Sequence, residues 1–226
     1  MNGSGRFTII CGHYGAGKTN FAINRAIDAA KSGKNVTLVD LDIINPYFTS
    51  SIYADVLRKN GVNVISPVFA NTNMEVTALP ASIYSMFDTD DDIILDAGGD
   101  DAGATVLGRF SSEIVERGYE MLYVTNMYRP MTSCPDDSVN MLRDIENACG
   151  LKATAVVNNS HLKELTTASV IMNSVEYAKE VARLAQIPLL FTAVPRSHVG
   201  GLPEDEYFYP ADVYVRSIWE NEEGTC

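Results

Sequence analysis

Eight residues near the N-terminus, Gly12-His13-Tyr14-Gly15-Ala16-Gly17-Lys18-Thr19, have the types and spacing to wrap a chain of phosphates. They satisfy G-x-x-x-x-G-K-[ST]. The glycines let backbone N–H groups turn inward around phosphate oxygens, where a Cβ would obstruct them. A helix starting near Lys18 would add its positive end to the same anion. Lys18 suits a bridge between the β- and γ-phosphates, and the Thr19 hydroxyl suits a place on Mg²⁺. Gly12, Gly15, Ala16, Gly17, Lys18, Thr19 and Asn20 are therefore the candidate nucleotide contacts of this segment.

Carboxylates follow at useful places. Asp40-Leu41-Asp42 ends an apolar run, Val36 to Val39, and Asp96-Ala97-Gly98-Gly99 ends another, Ile93 to Leu95. Asp40 and Asp96 are candidate metal-side ligands together with Thr19. Asp42 is the candidate residue for orienting an attacking water, and with Lys18 forms the catalytic pair. In a D-x-x-G arrangement the N–H of Gly99 can touch a γ-phosphate, which makes the loop responsive to hydrolysis. Asp100 and Asp101 come next and would repel a triphosphate, so we expect them to face solvent.

The base should be read at another strand end. A guanine-reading N-K-x-D would place an acid after the apolar run Ala155-Val156-Val157. The chain instead has Asn158-Asn159-Ser160-His161. An amide can pair with adenine N6 and N7, so Asn158 and Asn159 are candidate base contacts and ATP with Mg²⁺ is the expected cofactor pair.

These residues need a scaffold that gathers strand ends. Short apolar runs at Phe7–Cys11, Asn35–Asp40, Val62–Ile65, Asp92–Asp96, Tyr119–Thr125, Lys152–Val157 and Pro188–Val194 read as strands. Helical stretches separate them, about Phe21–Ala30, Ser51–Asn60, Pro80–Phe87, one ending near Gly118, Asp136–Ala148 and Leu165–Gln186. Strands alternating with helices predict an α/β fold with a mostly parallel sheet flanked by helices on both faces. Such sheets bind ligands at the carboxyl ends of their strands. There the phosphate loop, Asp40, Asp96, Asn126, Asn158 and Pro195 all fall.

Composition narrows the function classes. The 226 residues carry a formal net charge of −12, which argues against nonspecific binding to nucleic acid or to an anionic membrane. No apolar run reaches the ~18 residues of a membrane span. Met1 to Arg6 lead directly into the first strand, so no leader is expected. Cys11, Cys134, Cys149 and Cys226 form no C-x-x-C, which fits a reducing, cytoplasmic setting. The three histidines lack metal-ligand spacing. We expect residues 1–226 to be a single phosphate-loop nucleotide-binding domain, with 203–226 as an acidic C-terminal extension and a short helix around Trp219.

Taken together, Gly12 to Thr19, Val39-Asp40-Leu41-Asp42, Asp96-Ala97-Gly98-Gly99 and Val157-Asn158-Asn159 resemble the CobQ/CobB/MinD/ParA class of P-loop ATPases. More narrowly, the chain looks like a bacterial group of ATP-binding proteins with G-H-[YF]-G-x-G-K-T, V-D-L-D-I-x-N-P-Y-F and D-x-G-G-D-D. The resemblance spans roughly residues 6 to 195. It implies a P-loop NTPase fold and ATP binding, but no biological process. Much of the class has a lysine after the first glycine of the loop, which reaches the partner's phosphates in a dimer. Here that position is His13, shorter and mostly neutral at pH 7. A homodimer is left open and is not implied by the loop. Arg129 is the candidate substitute cation. The cysteine pair of iron–sulfur relatives and the basic tail of MinD-type relatives have no counterpart in this sequence.

The leading functional expectation is an ATPase, a nucleoside triphosphate hydrolase, acting as a nucleotide-driven switch or assembly factor with an unknown protein partner. The alternative is an enzyme that uses ATP to phosphorylate or activate a small-molecule substrate, its acceptor pocket lined by Tyr47, Phe48, Asn126 and Tyr128. A third reading is a nucleotide-binding partner protein with negligible turnover, against which the intact Lys18, Thr19, Asp40, Asp42 and Asp96 argue.

Overall fold

In the computed structural model, residues 7–42, 50–66, 81–99, 101–162, 165–204 and 207–215 are described. In chain order the elements are β1 (Phe7–Cys11), α1 (Lys18–Lys31), β2 (Val36–Asp40), α2 (Ala54–Lys59), β3 (Val62–Ile65), α3 (Ala81–Tyr84), β4 (Asp92–Asp96) and α4 (Asp101–Gly108). They continue with α5 (Ser111–Arg117), β5 (Tyr119–Thr125), α6 (Pro135–Cys149), β6 (Ala155–Asn158), α7 (Ala168–Ala185), β7 (Leu189–Pro195) and β8 (Phe208–Ala211). The strands form one sheet in the order β3-β2-β4-β1-β5-β6-β7-β8, and every neighbouring pair is parallel.

The period-2 alternation of the strands feeds two cores, one on each face. Phe7, Ile9 and Cys11 of β1, with Ile93 and Leu95 of β4, join the residues of α4, α6 and α7. Ile10 and Ile94 point the other way, to Phe21, Ile23 and Ile27 of α1 and Leu57 of α2. Burying a side chain of this size contributes about 1.5–3 kcal/mol, so neither layer is dispensable. Helices thus cover both faces, as the alternation of strands and helices requires.

The central strand is β1, with β4 on one side and β5 on the other. The chain winds outward in both directions from there, so the crevice of the fold opens at the carboxyl end of β1. That is where Gly12 begins the phosphate loop.

Several elements depart from the expected boundaries. The single helix expected before Gly118 is two helices, α4 and α5. Gly108 packs so closely on α6 that an added Cβ would lie 3.1 Å from the Ala148 carbonyl oxygen. Beyond it Phe110 turns into the core. Helix α7 starts at Ala168 because the Thr167 hydroxyl accepts from Val170 N at 3.3 Å, a side-chain cap. The segment expected as a helix from Ser51 opens with a 3-10 turn, Ser50–Tyr53. Strand β8 was not expected. It carries Pro210 and sits at the sheet edge, where a missing N–H is tolerated. Part of the expected acidic extension is therefore integral to the sheet. The expected helix around Trp219 lies outside the described residues, as do Tyr47, Phe48 and Asp100. Among the described residues no helix is long and apolar enough to cross a membrane.

One buried carboxylate holds the β5 side of the sheet together. Glu146 on α6 accepts from Arg143 at 2.8 Å, from Lys152 at 2.9 Å and from the Ala153 N–H at 3.0 Å. Burial pushes its pKa up, but the two cations and the N–H outweigh it, and the net shift is downward from 4.5. A depressed carboxylate stabilises the fold above its unfolded pKa, and that contribution is lost as pH falls through the lower folded value. Glu146→Ala should cost about 1–3 kcal/mol at pH 7, since the Ala153 N–H loses its acceptor. Urea melts should show the gap between variant and wild type narrowing below pH 4.5, from the side of the wild type. A gap constant with pH would show that the carboxylate's charge contributes nothing.

Candidate functional site

The phosphate loop is shaped by three glycines with positive φ: Gly12 at 143°, Gly15 at 76° and Gly17 at 89°. At Gly12 an added Cβ would meet the Val124 carbonyl oxygen of β5 at 2.2 Å, so the loop leaves β1 flush against its neighbour. Gly17 caps α1 with no side-chain acceptor, and the first turn of α1 holds no acidic residue. The first N–H groups of the helix are left to an outside anion.

Lys18 is 6% exposed. Its Nζ donates to the His13 carbonyl at 3.4 Å. It also lies where a Cβ on Gly99 would stand, 2.6 Å away. The same Cβ would be 2.7 Å from Tyr14 N. The loop after β4 is thus pressed directly onto the phosphate loop, and only glycine fits. Gly98 is held in turn against Gly103 of α4, whose Cα would be 2.8 Å from an added Cβ. Gly103 was not singled out in the sequence, although its five-residue distance from Gly98 was visible.

The two aspartate loops meet beside it. Asp40 of β2 and Asp96 of β4 are register partners at adjacent strand ends. Asp40 Oδ1 accepts from Asp42 N at 3.1 Å, a turn that sets the direction of Asp42. An added Cβ on Gly98 would lie 3.5 Å from Asp42 Oδ1. Asp96 is 1% exposed, and neither of its oxygens has a hydrogen-bond partner among the described residues. Burial and the charge of Asp40 push its pKa far above the usual carboxylate range, while Lys18 and the nearby Thr19 hydroxyl pull it down. The Thr19 hydroxyl is close enough to ease the charge without satisfying either oxygen at full bonding geometry.

A buried carboxylate without a partner fits a site built for a cation. Among the described residues no three His, Cys, Asp or Glu side chains converge into a self-contained metal centre. A magnesium ion needs only one or two carboxylates, its shell being completed by phosphate oxygens and water. Thr19, Asp40 and Asp96 are the residues that would hold one.

Three expected contacts lie elsewhere than expected. Asn158 turns inward, its Nδ2 donating to Ser174 Oγ at 2.8 Å and to Thr192 Oγ1 at 3.2 Å. The amide nitrogen meant for a base is engaged between β6, α7 and β7, so Asn158 is structural. Asn159 Nδ2 donates to the Ala16 carbonyl at 2.7 Å and braces the phosphate loop. Asn20 faces away from the loop. Its side chain takes Tyr214 N at 2.8 Å and donates to the Asp212 carbonyl at 3.1 Å. With Asn24, which binds Asp212 N and O at 2.8 Å each, it fastens the segment after β8 to the back of α1. Only a backbone role toward phosphate is left to Asn20. Two amides one helical turn apart are the only local trace of this clasp.

Burial and Lys18 lower the pKa of His13, consistent with a neutral imidazole. Arg129 Nε donates to the Gly15 carbonyl at 2.8 Å. Tyr128 is tied to Val170 O by its hydroxyl, and Asn126 Oδ1 accepts from Tyr128 N, so both belong to the support of that loop. A shallow cavity of about 480 Å³ lies at the far end of the sheet, lined by Lys179, Arg183 and Leu189 among others, and shares no residue with this site.

Similar architectures occur among solved structures. The cell division protein FtsY of Thermotoga maritima matches with a TM-score of 0.58 at 18% identity, over 85% of this chain and 63% of that one. The signal recognition particle receptor FtsY of Elizabethkingia anophelis, in complex with GDP, matches at 0.56 and 16%, over 86% and 59%. The 54 kDa signal recognition particle protein of Aeropyrum pernix, also with GDP, matches at 0.57 and 15%, over 85% and 42%. The chain spans less than two thirds of each of these proteins. No protein-family model and no curated protein sequence matches it. The neighbours named here are of the signal-recognition type and lend no support to the narrower MinD/ParA/CobQ class. At these identities the shared property is the architecture, and the chain has the fold of a P-loop NTPase.

Proposed function

We propose that the protein is a magnesium-dependent nucleoside triphosphate hydrolase that works as a switch, with ATP as its nucleotide. The observation that carries this reading is the buried Asp96, with no hydrogen-bond partner among the described residues, beside Thr19 and Lys18 at the mouth of a complete phosphate loop. When bound, magnesium neutralises phosphate charge and orients the chain of phosphates. The remaining work belongs to the protein. Loop N–H groups and the α1 N-terminus hold phosphate oxygens, and Lys18 supplies a fixed positive charge against them. Asp42, placed by its N–H on Asp40, orients the attacking water.

The contact of Gly99 with Lys18 and Tyr14 gives the switch its physical basis. A γ-phosphate beside Lys18 must be sensed by the Gly98–Gly99 backbone, and through Gly103 by α4. The class resemblance to MinD/ParA-type ATPases supports an assembly-factor role with a protein partner. It does not require the trans-acting lysine, because His13 stands in that place.

The choice of ATP rests on the missing acid after Asn158-Asn159. The GDP complexes of the architectural neighbours favour the opposite base, and so a GTPase. Competition between Mg·ATP and Mg·GTP by calorimetry decides. Tighter binding of ATP is expected, a tenfold preference for GTP would reverse the base assignment, and no binding of either would remove the function.

Asp42 should act on turnover more than on binding. Asp42→Asn keeps the shape and removes the charge, so kcat should fall with little change in nucleotide Kd, as for an interaction made mainly in the transition state. Unchanged single-turnover hydrolysis would make Asp42 a structural residue.

A further inference from the structure

The loop after β5 presents an arginine to the phosphate loop in a fixed pose. Arg129 Nε donates to the Gly15 carbonyl at 2.8 Å. Gly15 has a φ of 76°, and a Cβ there would lie 3.3 Å from Arg129 Nε, so the close seat depends on glycine. The loop carrying Arg129 is anchored on three sides. Met127 N donates to Ser160 Oγ at 2.9 Å, the Tyr128 hydroxyl to Val170 O at 2.8 Å, and Thr132 Oγ1 to Asn126 O at 2.8 Å.

No carboxylate among the described residues answers the charge of this arginine. A guanidinium has five N–H donors in a planar fork, and one is engaged by Gly15. In a chain of net charge −12, Arg129 is an exposed arginine held at an anion-binding loop with no carboxylate partner among the described residues. A residue needed only to prop a carbonyl would not have to be charged.

We infer that Arg129 is a phosphate-contacting residue of the nucleotide site: docked on Gly15 through Nε, it turns its two Nη groups to the anionic chain held by the loop. This rests on the nucleotide-binding reading above. The pose is set before the ligand arrives, so little side-chain freedom is lost on binding. A lysine reaches the same place only as a point charge and cannot hold Gly15 and a phosphate oxygen with one planar group.

The test compares Arg129→Ala, Arg129→Gln and Arg129→Lys in the full chain, by calorimetry with Mg·ATP and Mg·GTP and by thermal melting without nucleotide. Gln retains a neutral donor for Gly15, so it separates propping from charge. Ala and Gln should both raise the Kd of the preferred nucleotide by about tenfold, the loss of one charge-assisted contact near solvent, with Lys in between. Their melting temperatures without nucleotide should match the wild type. Wild-type affinity in Arg129→Gln, wild-type affinity in Arg129→Ala, or a lowered melting temperature in both would overturn the inference. Failure of the wild type to bind either nucleotide would instead defeat the nucleotide reading itself, and the inference with it.

Discussion

Replacing Lys18 by alanine should raise the Kd for the magnesium–nucleotide complex by roughly tenfold to over a hundredfold. That range corresponds to a charge-assisted contact of about 1.5–3 kcal/mol. The structure makes the direction firm. Lys18 is buried between the His13 carbonyl and Gly99, so the ammonium has no freedom to be replaced by a neighbour. Its loss also removes the positive charge that eases Asp96. Hydrolysis should fall by more than binding, because a fixed charge stabilises the developing transition state beyond the ground state. Calorimetry on the wild type and Lys18→Ala checks the first part and single-turnover phosphate release the second. Equal affinities would mean that the loop does not hold phosphate.

Asp96→Asn should move stability and activity in opposite directions. In chelator, without nucleotide, the variant should be more stable by about 1–3 kcal/mol, because a carboxyl whose ionisation is opposed by burial and by Asp40, with no hydrogen-bond partner among the described residues, is replaced by a neutral amide that bears no such cost. With magnesium and nucleotide, hydrolysis should fall by about a hundredfold, the scale expected when one electrostatic contributor is removed from a dry site. The magnesium dependence of nucleotide binding should flatten as well. Chemical denaturation with and without chelator, beside turnover measurements, reads both effects. A variant less stable than wild type in chelator would show that Asp96 has a structural partner, and the cation-site reading would fall.

The opposing signs are the argument for function. A side chain that weakens the empty fold and yet occupies the end of β4 beside Asp40 is best explained by what it does when a ligand is present. Glu146 is the contrast. It is also a buried carboxylate, but Arg143, Lys152 and the Ala153 N–H meet it, and its pKa moves down instead of up.

Much was readable from local rules. The spacing of Gly12, Gly15, Gly17, Lys18 and Thr19 determines a loop whose backbone only glycine adopts, and the positive φ angles follow from it. The apolar runs ending at Asp40 and Asp96 determine two strands whose carboxyl ends meet one crevice, because parallel strands in such a sheet share their direction. Alternation of strands and helices determined the sheet and its two covered faces. These properties depend on short-range sterics and on the period of hydrophobic residues, which a sequence carries directly.

What only the tertiary structure decided depends on contacts between distant segments. The sequence offered Asn158, Asn159 and Asn20 as equal amides, but packing gives the first to α7 and β7, the second to Ala16 and the third to the segment after β8. Strand β8 is short and carries a proline, and it exists because β7 provides a ladder and Phe191 stacks on Tyr209 at 5.0 Å. Arg129 is one cation among 17 in the sequence, and only the path of β5 past β1 brings it onto Gly15. A side chain's partner is set by which strands lie side by side, and that order is a property of the whole sheet, absent from any local stretch of the chain.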